Sequence, residues 1–434
     1  MNLDLFEMAA LILGVTALAC WINANTLKLP VAVGLLIVGM AFTGVVALAD
    51  LVKPDLGIAA TLKALEQQID FPKLVLNFML AYLLFAGAMN VNIAAMIKRG
   101  WAVAALAILG TVITAVLIAA AFWGVCHLVG IEMPVSWALV FGALISPTDP
   151  IAVLAMTKRT DLEPQLQAQL EGEALFNDGV AVVLFKALLA YAIGQTAGGG
   201  DAGHHTDLSA LAQHSAIEAF GGIALGLAVA VVAVAILYAV NDWITETLIT
   251  IATATIVYAV ALHFELSGPL GVVAAGLVMA TDWANRALAP RAKEYIHPFW
   301  HVIDEGMNAI LFLLVGIKVY ALALTPITLV LMGAGAAMVL VARWLAVAGL
   351  GSAMIVIGKR ASLNLYNVLT WAGVRGGLSV AMVLSLPDFP GRDAIFAATL
   401  GVVIFSIVVQ SMTMEKLALS TGYGSPKTEP EATH

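Results

Sequence analysis

An all-α polytopic membrane protein is the fold class this sequence predicts, and three observations carry it. Of its 434 residues, 62% are hydrophobic and only 11% charged, where a soluble domain has roughly 45–50% and about 25%. Mean hydropathy is +0.98. Apolar runs recur along the chain at the roughly 20-residue length that a bilayer demands of a helix. The formal charge of −8 forms no acidic or basic block, so no nucleic-acid partner is expected. Cys20 and Cys126 sit in apolar runs and read as small packing residues, neither a metal site nor a disulfide.

Taken in order, spans are expected at about 5–23, 30–49, 74–97, 100–128, 134–157, 170–194, 215–240, 244–264, 268–282, 298–322, 326–357, 363–386 and 394–417, thirteen in all. The opening MNLDLFEM is acidic where a secretory signal is basic, so the first run is expected to stay as a span. Range 268–282 is short enough to be a half-helix. The link 50–73 holds an amphipathic stretch from Leu62 to Phe71 suited to the interface plane. The link 195–214, with Gly198, Gly199, Gly200, His204 and His205, reads as a flexible, solvated loop. Residues 1–419 are expected to form one membrane unit, and 420–434 a short disordered tail.

Twenty Lys and Arg set the orientation. With the C-terminus inside, twelve fall on the cytoplasmic side, among them Lys98, Arg99, Lys158, Arg159, Lys359 and Arg360. Only Lys53, Lys63, Lys73 and Arg392 fall outside, while Lys186, Lys318, Arg343 and Arg375 lie within spans. The positive-inside rule therefore predicts an external N-terminus and an odd number of spans. No GxxxxGK[ST] stretch occurs, which disfavours ATP-driven transport and leaves a channel or a secondary transporter.

The stretch Phe141–Phe185 concentrates the chemistry. It reads FGALISPTDPIAVLAM, then a charged link, then LEGEALFNDGVAVVLF, and it carries Asp149, Glu171, Glu173 and Asp178 at bilayer depth. Each such carboxylate costs roughly 2.5 to 3.5 kcal/mol to insert. Pro147 and Pro150 donate no hydrogen bond, which frees the carbonyls of Ala143 and Ser146. They also push Ser146 and Asp149 out of the α region. About one turn is expected to unwind at mid-membrane, where exposed backbone is tolerated only inside protein or along a watery cavity. On the sixth span Glu171, Ala174 and Asp178 share one face, and Glu173 and Asn177 another about 140° away. The first face is assigned to an ion cavity, the second to a protein partner. Asn177 is expected to bridge to the unwound fifth span or to hold Asp178, and Glu171 can equally be a hydrated residue near the interface.

The twelfth span, WAGVRGGLSVAM, sets Arg375 among Gly373, Gly376 and Gly377 with no other charge. Such a guanidinium must pair with a carboxylate or cap carbonyls, and Glu173 is its candidate. With six spans per repeat, span five corresponds to span twelve, and the odd offset inverts the topology, giving two inverted six-helix repeats. His301, Asp304 and Glu305 lie three and four apart at the start of the tenth span. They read as an interfacial charge cluster, with cytoplasmic pH sensing as the alternative. Asn308 lies deeper, where it can line a cavity. Lys186 and Lys318 can snorkel and are assigned nothing.

Together SPTDPIAVLA, EGEALFNDGVAVVLF, FWHVIDEGMNAILFLLVGI and GVRGGLSVAM resemble the NhaP-type Na⁺/H⁺ antiporters, the monovalent cation:proton antiporter-1 family related to the eukaryotic exchangers. The resemblance runs from about Leu74 to about Gln410. It implies a multi-pass protein of the bacterial inner membrane, a homodimer of thirteen-helix subunits with crossed, broken helices in a core domain. That core takes in mainly 74–194 and 298–417, and the remaining spans supply the dimerisation helices. Implied too is exchange of Na⁺ or Li⁺ for H⁺, electroneutral because Asn177 stands where other branches have a second Asp. Asp178 resembles the family's ion-carrying aspartate and Asn177 its paired asparagine. Asp149 and the Thr148 backbone match the second contribution to the cation site, with Na⁺ held at Asp149 and Asp178, and Glu173 and Arg375 match a structural ion pair. No enzyme chemistry and no cofactor beyond the transported ions is implied. Two departures stand out: Ala174 replaces a frequent Ser, and 74–97 contains no acid. A K⁺/H⁺ antiporter on the same fold and a cation channel remain the alternatives.

Overall fold

The computed structural model describes residues 4–52, 70–98, 100–150, 160–197, 208–319, 322, 325–356 and 362–426. The expected interfacial stretch before Asp70 and the link's His204 and His205 lie outside these residues. Helices dominate: α1 (Leu5–Ile22), α2 (Val31–Val52), α3 (Leu80–Asn90), α4 (Thr111–Leu128), α5 (Val135–Ile145), α6 (Pro164–Ala197) and α7 (Leu208–Leu237). They continue as α8 (Trp243–His263), α9 (Gly268–Met279), α10 (Pro290–Lys318), α11 (Pro326–Val356), α12 (Leu363–Trp371), α13 (Gly377–Leu384), α14 (Arg392–Phe405) and α15 (Ser411–Thr421). Short helical pieces join some of them, and π-helical turns lead into α3, α4 and α15. Ten of the resulting helical stretches are long and apolar enough to cross a membrane among the described residues, and α5 and α9 are shorter apolar helices.

The boundaries follow local chemistry. Asp4 caps α1 in a reciprocal box with Glu7. Asp242, Ser267 and Ser362 accept first-turn amides of α8, α9 and α12. Prolines open α6, α10 and α11, where a missing N–H costs nothing. α6 begins six residues before the span expected at 170, because Pro164 starts it; α3 ends at Asn90, short of the expected 97.

Packing is close where glycine allows it. A Cβ on Gly142 of α5 would collide with the carbonyl of Ala115 in α4, so the two backbones touch. Elsewhere α10 lies along α2, α9 packs on α3 and α7, and α11 lies along α14. Trp300 is fully buried, packed on Phe85 at 4.8 Å between centroids, with its indole N–H donated to Thr250. Large apolar side chains such as Phe220 and Val232 point outward, as a lipid-facing surface requires.

Two features depart from an all-helical plan with a free tail. β1 (Thr160–Leu162), in the charged link before α6, pairs antiparallel with β2 (Gly424–Pro426). The expectation of disorder from 420 is thus corrected for its first part: α15 runs to Thr421, Gly422 closes it at φ 79°, and Tyr423 joins a buried cluster with Leu162, Leu166, Met414 and Ala418. Residues 427–434 lie outside the described residues.

Candidate functional site

Two interrupted helices meet at the centre. α5 stops at Ile145 and residues 146–149 belong to no helix, as the Pro147 and Pro150 pair predicts, but Ser146 keeps α-region angles (φ −78°, ψ −25°) and is not pushed out of that region as expected. Residues 373–376 likewise separate α12 from α13. The two unwound segments join through one backbone bond, Asp149 N–H to the Val374 carbonyl at 2.7 Å. Both carbonyls freed by the prolines find partners: Ala143 accepts from the Ser146 amide at 3.2 Å and its hydroxyl at 2.8 Å, and Ser146 accepts from Arg375.

Arg375 is fully buried. Its Nη1 donates to the carbonyls of Ser146 and Pro147, the latter at 2.8 Å, so a cation sits on the negative end of α5. At the opposite pole, the start of α13 faces an acid: a Cβ on Gly376 would overlap the Asp149 carboxylate. Each broken end is therefore matched by charge of the favourable sign, as in discontinuous helices that hold ions.

The ion-pair expectation is corrected here. Glu173 pairs with Arg343 of α11, both side chains being less than 5% exposed, while Arg375 takes the carbonyl-capping role instead. The reason is supply: helix breakage leaves the Ser146 and Pro147 carbonyls side by side, where one guanidinium nitrogen can donate to both, and Arg343 is the cation in contact with Glu173. Sequence reasoning left Arg343 unassigned, although a lone guanidinium in the apolar run MVLVARWLAVAG carried the same signal as Arg375. Lys186, also unassigned, pairs with Glu218 of α7 at 2.8 Å.

Asn177 does what its position predicts toward the fifth span. Its side-chain oxygen accepts the Thr148 amide at 3.2 Å and its amide nitrogen donates to the Thr148 hydroxyl at 2.5 Å. That clamp fixes α6 against the unwound segment and leaves Asp178, the next residue, on a different face. Asp178 and Asp149 line one cavity of about 460 Å³, together with Glu171, Ala174, His301, Asp304, Glu305 and Asn308. The face division of α6 thus holds, with Glu171, Ala174 and Asp178 toward the cavity and Glu173 and Asn177 toward protein. Asn90 at the end of α3 and Gln167 at the start of α6 complete the wall, and Gln167 donates to Glu171 at 2.8 Å. Neither was singled out from sequence; Asn90 ends an apolar run and is one of the polar residues, with Asn77 and Asn92, that the third span does offer.

Residues 14–419 match the family model described as sodium/hydrogen exchanger, transmembrane. The chain belongs to the sodium/hydrogen exchanger family. It is a multi-pass membrane transporter and not an enzyme, as the motifs implied. Relatives of the family include the Na⁺/H⁺ antiporter NhaP of Pseudomonas aeruginosa, 31% identical over 99% of this chain and 100% of its own length. The Na⁺/H⁺ antiporter NhaH of Halobacillus aidingensis is likewise 31% identical, over 96% of this chain and 98% of its own. Among solved structures, the sodium proton antiporter MjNhaP1 of Methanocaldococcus jannaschii at pH 8 shares the exchanger fold with a TM-score of 0.72 at 19% identity, covering 96% of this chain and 99% of its own.

Proposed function

We propose that this exchanger moves Na⁺, and also Li⁺, against H⁺ one for one, with both ions competing for Asp178 and Asp149. One observation carries the reading: two carboxylates share a cavity beside unwound backbone, amid oxygen ligands that suit a hard monovalent cation. A carboxylate in so confined a place is neutralised by a proton or by a metal cation, and one excludes the other. Competition is the coupling, and no covalent step is needed. Thr148 and Asn177 hold the unwound segment in place, and the Glu173–Arg343 pair and Arg375 fix its supports. Glu171, His301, Glu305 and Asn308 line the approach. With the C-terminus cytoplasmic, that approach opens inward, and rocking of a core (about 74–194 and 298–417) against dimer-forming helices presents the same site outward. The setting is a homodimer in a bacterial inner membrane.

The deciding experiment is pH-gradient dissipation in proteoliposomes given Na⁺, Li⁺ and K⁺ in turn. Dissipation by Na⁺ and Li⁺, lost in Asp178→Asn while the protein still purifies folded, is expected. Dissipation by K⁺ alone marks a K⁺/H⁺ exchanger, and cation flux without obligate proton movement marks a channel. Full activity in Asp178→Asn would overturn the assignment of the carrier residue.

A further inference from the structure

The ion cavity is not the only large concavity. A second, of about 720 Å³, opens on the flank of the molecule between α11, α12 and α15, lined by Val341, Trp344, Thr370, Trp371, Lys416 and Ser420 among others. Much of its lining is apolar, Leu340, Val341 and Leu417 among it. Its polar members are spread along it: Asn367 stands midway along α12 and Thr370 near its end, while Lys416 and Ser420 stand one turn apart in the second half of α15. Two indoles frame it, each with its N–H spoken for, Trp344 on Asn367 at 3.2 Å and Trp371 on Thr413 at 2.9 Å. The Thr370 hydroxyl, in a side chain only 6% exposed, has no hydrogen-bond partner although it lines the groove. A buried hydroxyl without a partner is costly, and here it marks a place where a ligand oxygen is wanted.

We propose that this groove binds one phospholipid with an anionic headgroup, the phosphate on Lys416 and Ser420, an acyl chain between α11 and α15, and an ester oxygen within reach of Thr370. Two of its three walls, α11 and α15, belong to candidate membrane spans, so acyl chains are the ambient solvent of this face. Paired indoles with a lysine beyond them are the chemistry of the headgroup level, and a lysine there favours anionic lipid. A second copy of the chain fits less well: a two-fold contact centred on the groove would bring Lys416 toward its own counterpart. The location matters, because the Thr370 carbonyl accepts the Gly373 amide at 3.2 Å at the very end of α12, where the chain unwinds toward Arg375. A lipid seated here bears directly on one of the two broken helices.

Native mass spectrometry of the purified full chain, titrated with phosphatidylglycerol and separately with phosphatidylcholine, tests this. One tightly retained phosphatidylglycerol per subunit is expected, with phosphatidylcholine held more weakly. Lys416→Gln should lower phosphatidylglycerol retention about fivefold and leave phosphatidylcholine unchanged. Val341→Trp, at a position 59% exposed where bulk is tolerated, should fill the groove and reduce both. Melting temperatures without lipid report whether each variant folds, and if Val341→Trp does not, Lys416→Gln alone decides. Unchanged phosphatidylglycerol retention in Lys416→Gln, equal retention of the two lipids by the unaltered chain, or loss of a dimer in Val341→Trp with lipid binding intact would each overturn the proposal.

Discussion

Arg343 and Arg375 show how much one residue's surroundings decide. Both are buried guanidiniums in apolar surroundings, Arg343 within α11 and Arg375 in the unwound segment before α13, yet one neutralises a carboxylate and the other satisfies backbone. Removing one member of a buried pair costs about 3 to 5 kcal/mol, whereas replacing both by apolar groups of similar volume is often neutral. Arg343→Ala should therefore lower the melting temperature sharply, and Arg343→Leu with Glu173→Leu should recover much of the loss. Equal damage from the single and double changes, in a thermal unfolding series, would show that Glu173 is not what Arg343 holds. The need of these residues for a partner was legible in the sequence. Which arginine meets which acceptor was not, because both are intramembrane cations with the same demand, and only the crossing of α5 with the α12–α13 break brings the Ser146 and Pro147 carbonyls to Arg375.

Among elements, the prediction that proline would break the fifth span held because it is local chemistry: two missing donors and two restricted predecessors within four residues. The break before α13 was less open to inference, since glycines permit many conformations, and what determines it is a neighbour. Gly376 must lack a side chain to let Asp149 approach. Gly376→Ala should displace that carboxylate and weaken apparent cation affinity by about tenfold to a hundredfold, the scale on which a misplacement near 1 Å is felt; unchanged half-saturation for Na⁺ would contradict the close approach. The strand pair was hidden for a different reason. Three residues on each side carry no periodicity, and the partners, 160–162 and 424–426, lie far apart along the chain. Stopping the chain after Thr421 should leave the helices intact and speed amide hydrogen exchange at 160–162 about tenfold, as befits loss of bonds worth about 1 kcal/mol each. Protection that persists would mean the link is ordered without its partner.

For the whole molecule, hydropathy set the architecture: every expected span contains helix among its described residues, broken in the fifth and twelfth, since bilayer length leaves few choices. The one-for-one exchange we propose carries no net charge. Clamping the potential of proteoliposomes should thus leave Na⁺-driven proton flux unchanged, whereas one uncompensated charge per cycle would couple about 2.3 kcal/mol per 100 mV to transport. A strong voltage dependence would require a second ionising ligand. The hydrogen bond from Arg375 to Ser146 spans 229 positions of sequence. During synthesis, then, the ribosome delivers Asp149 and Asp178 to the membrane long before the cation and the backbone that complete their pocket exist. Until the twelfth segment inserts, the nascent chain holds a snapped helix whose Ser146 and Pro147 carbonyls still lack the arginine that caps them, and quality-control proteases have that interval in which to act. It also follows that two separately expressed fragments, divided within a loop between them, can regain transport only by finding each other in the bilayer.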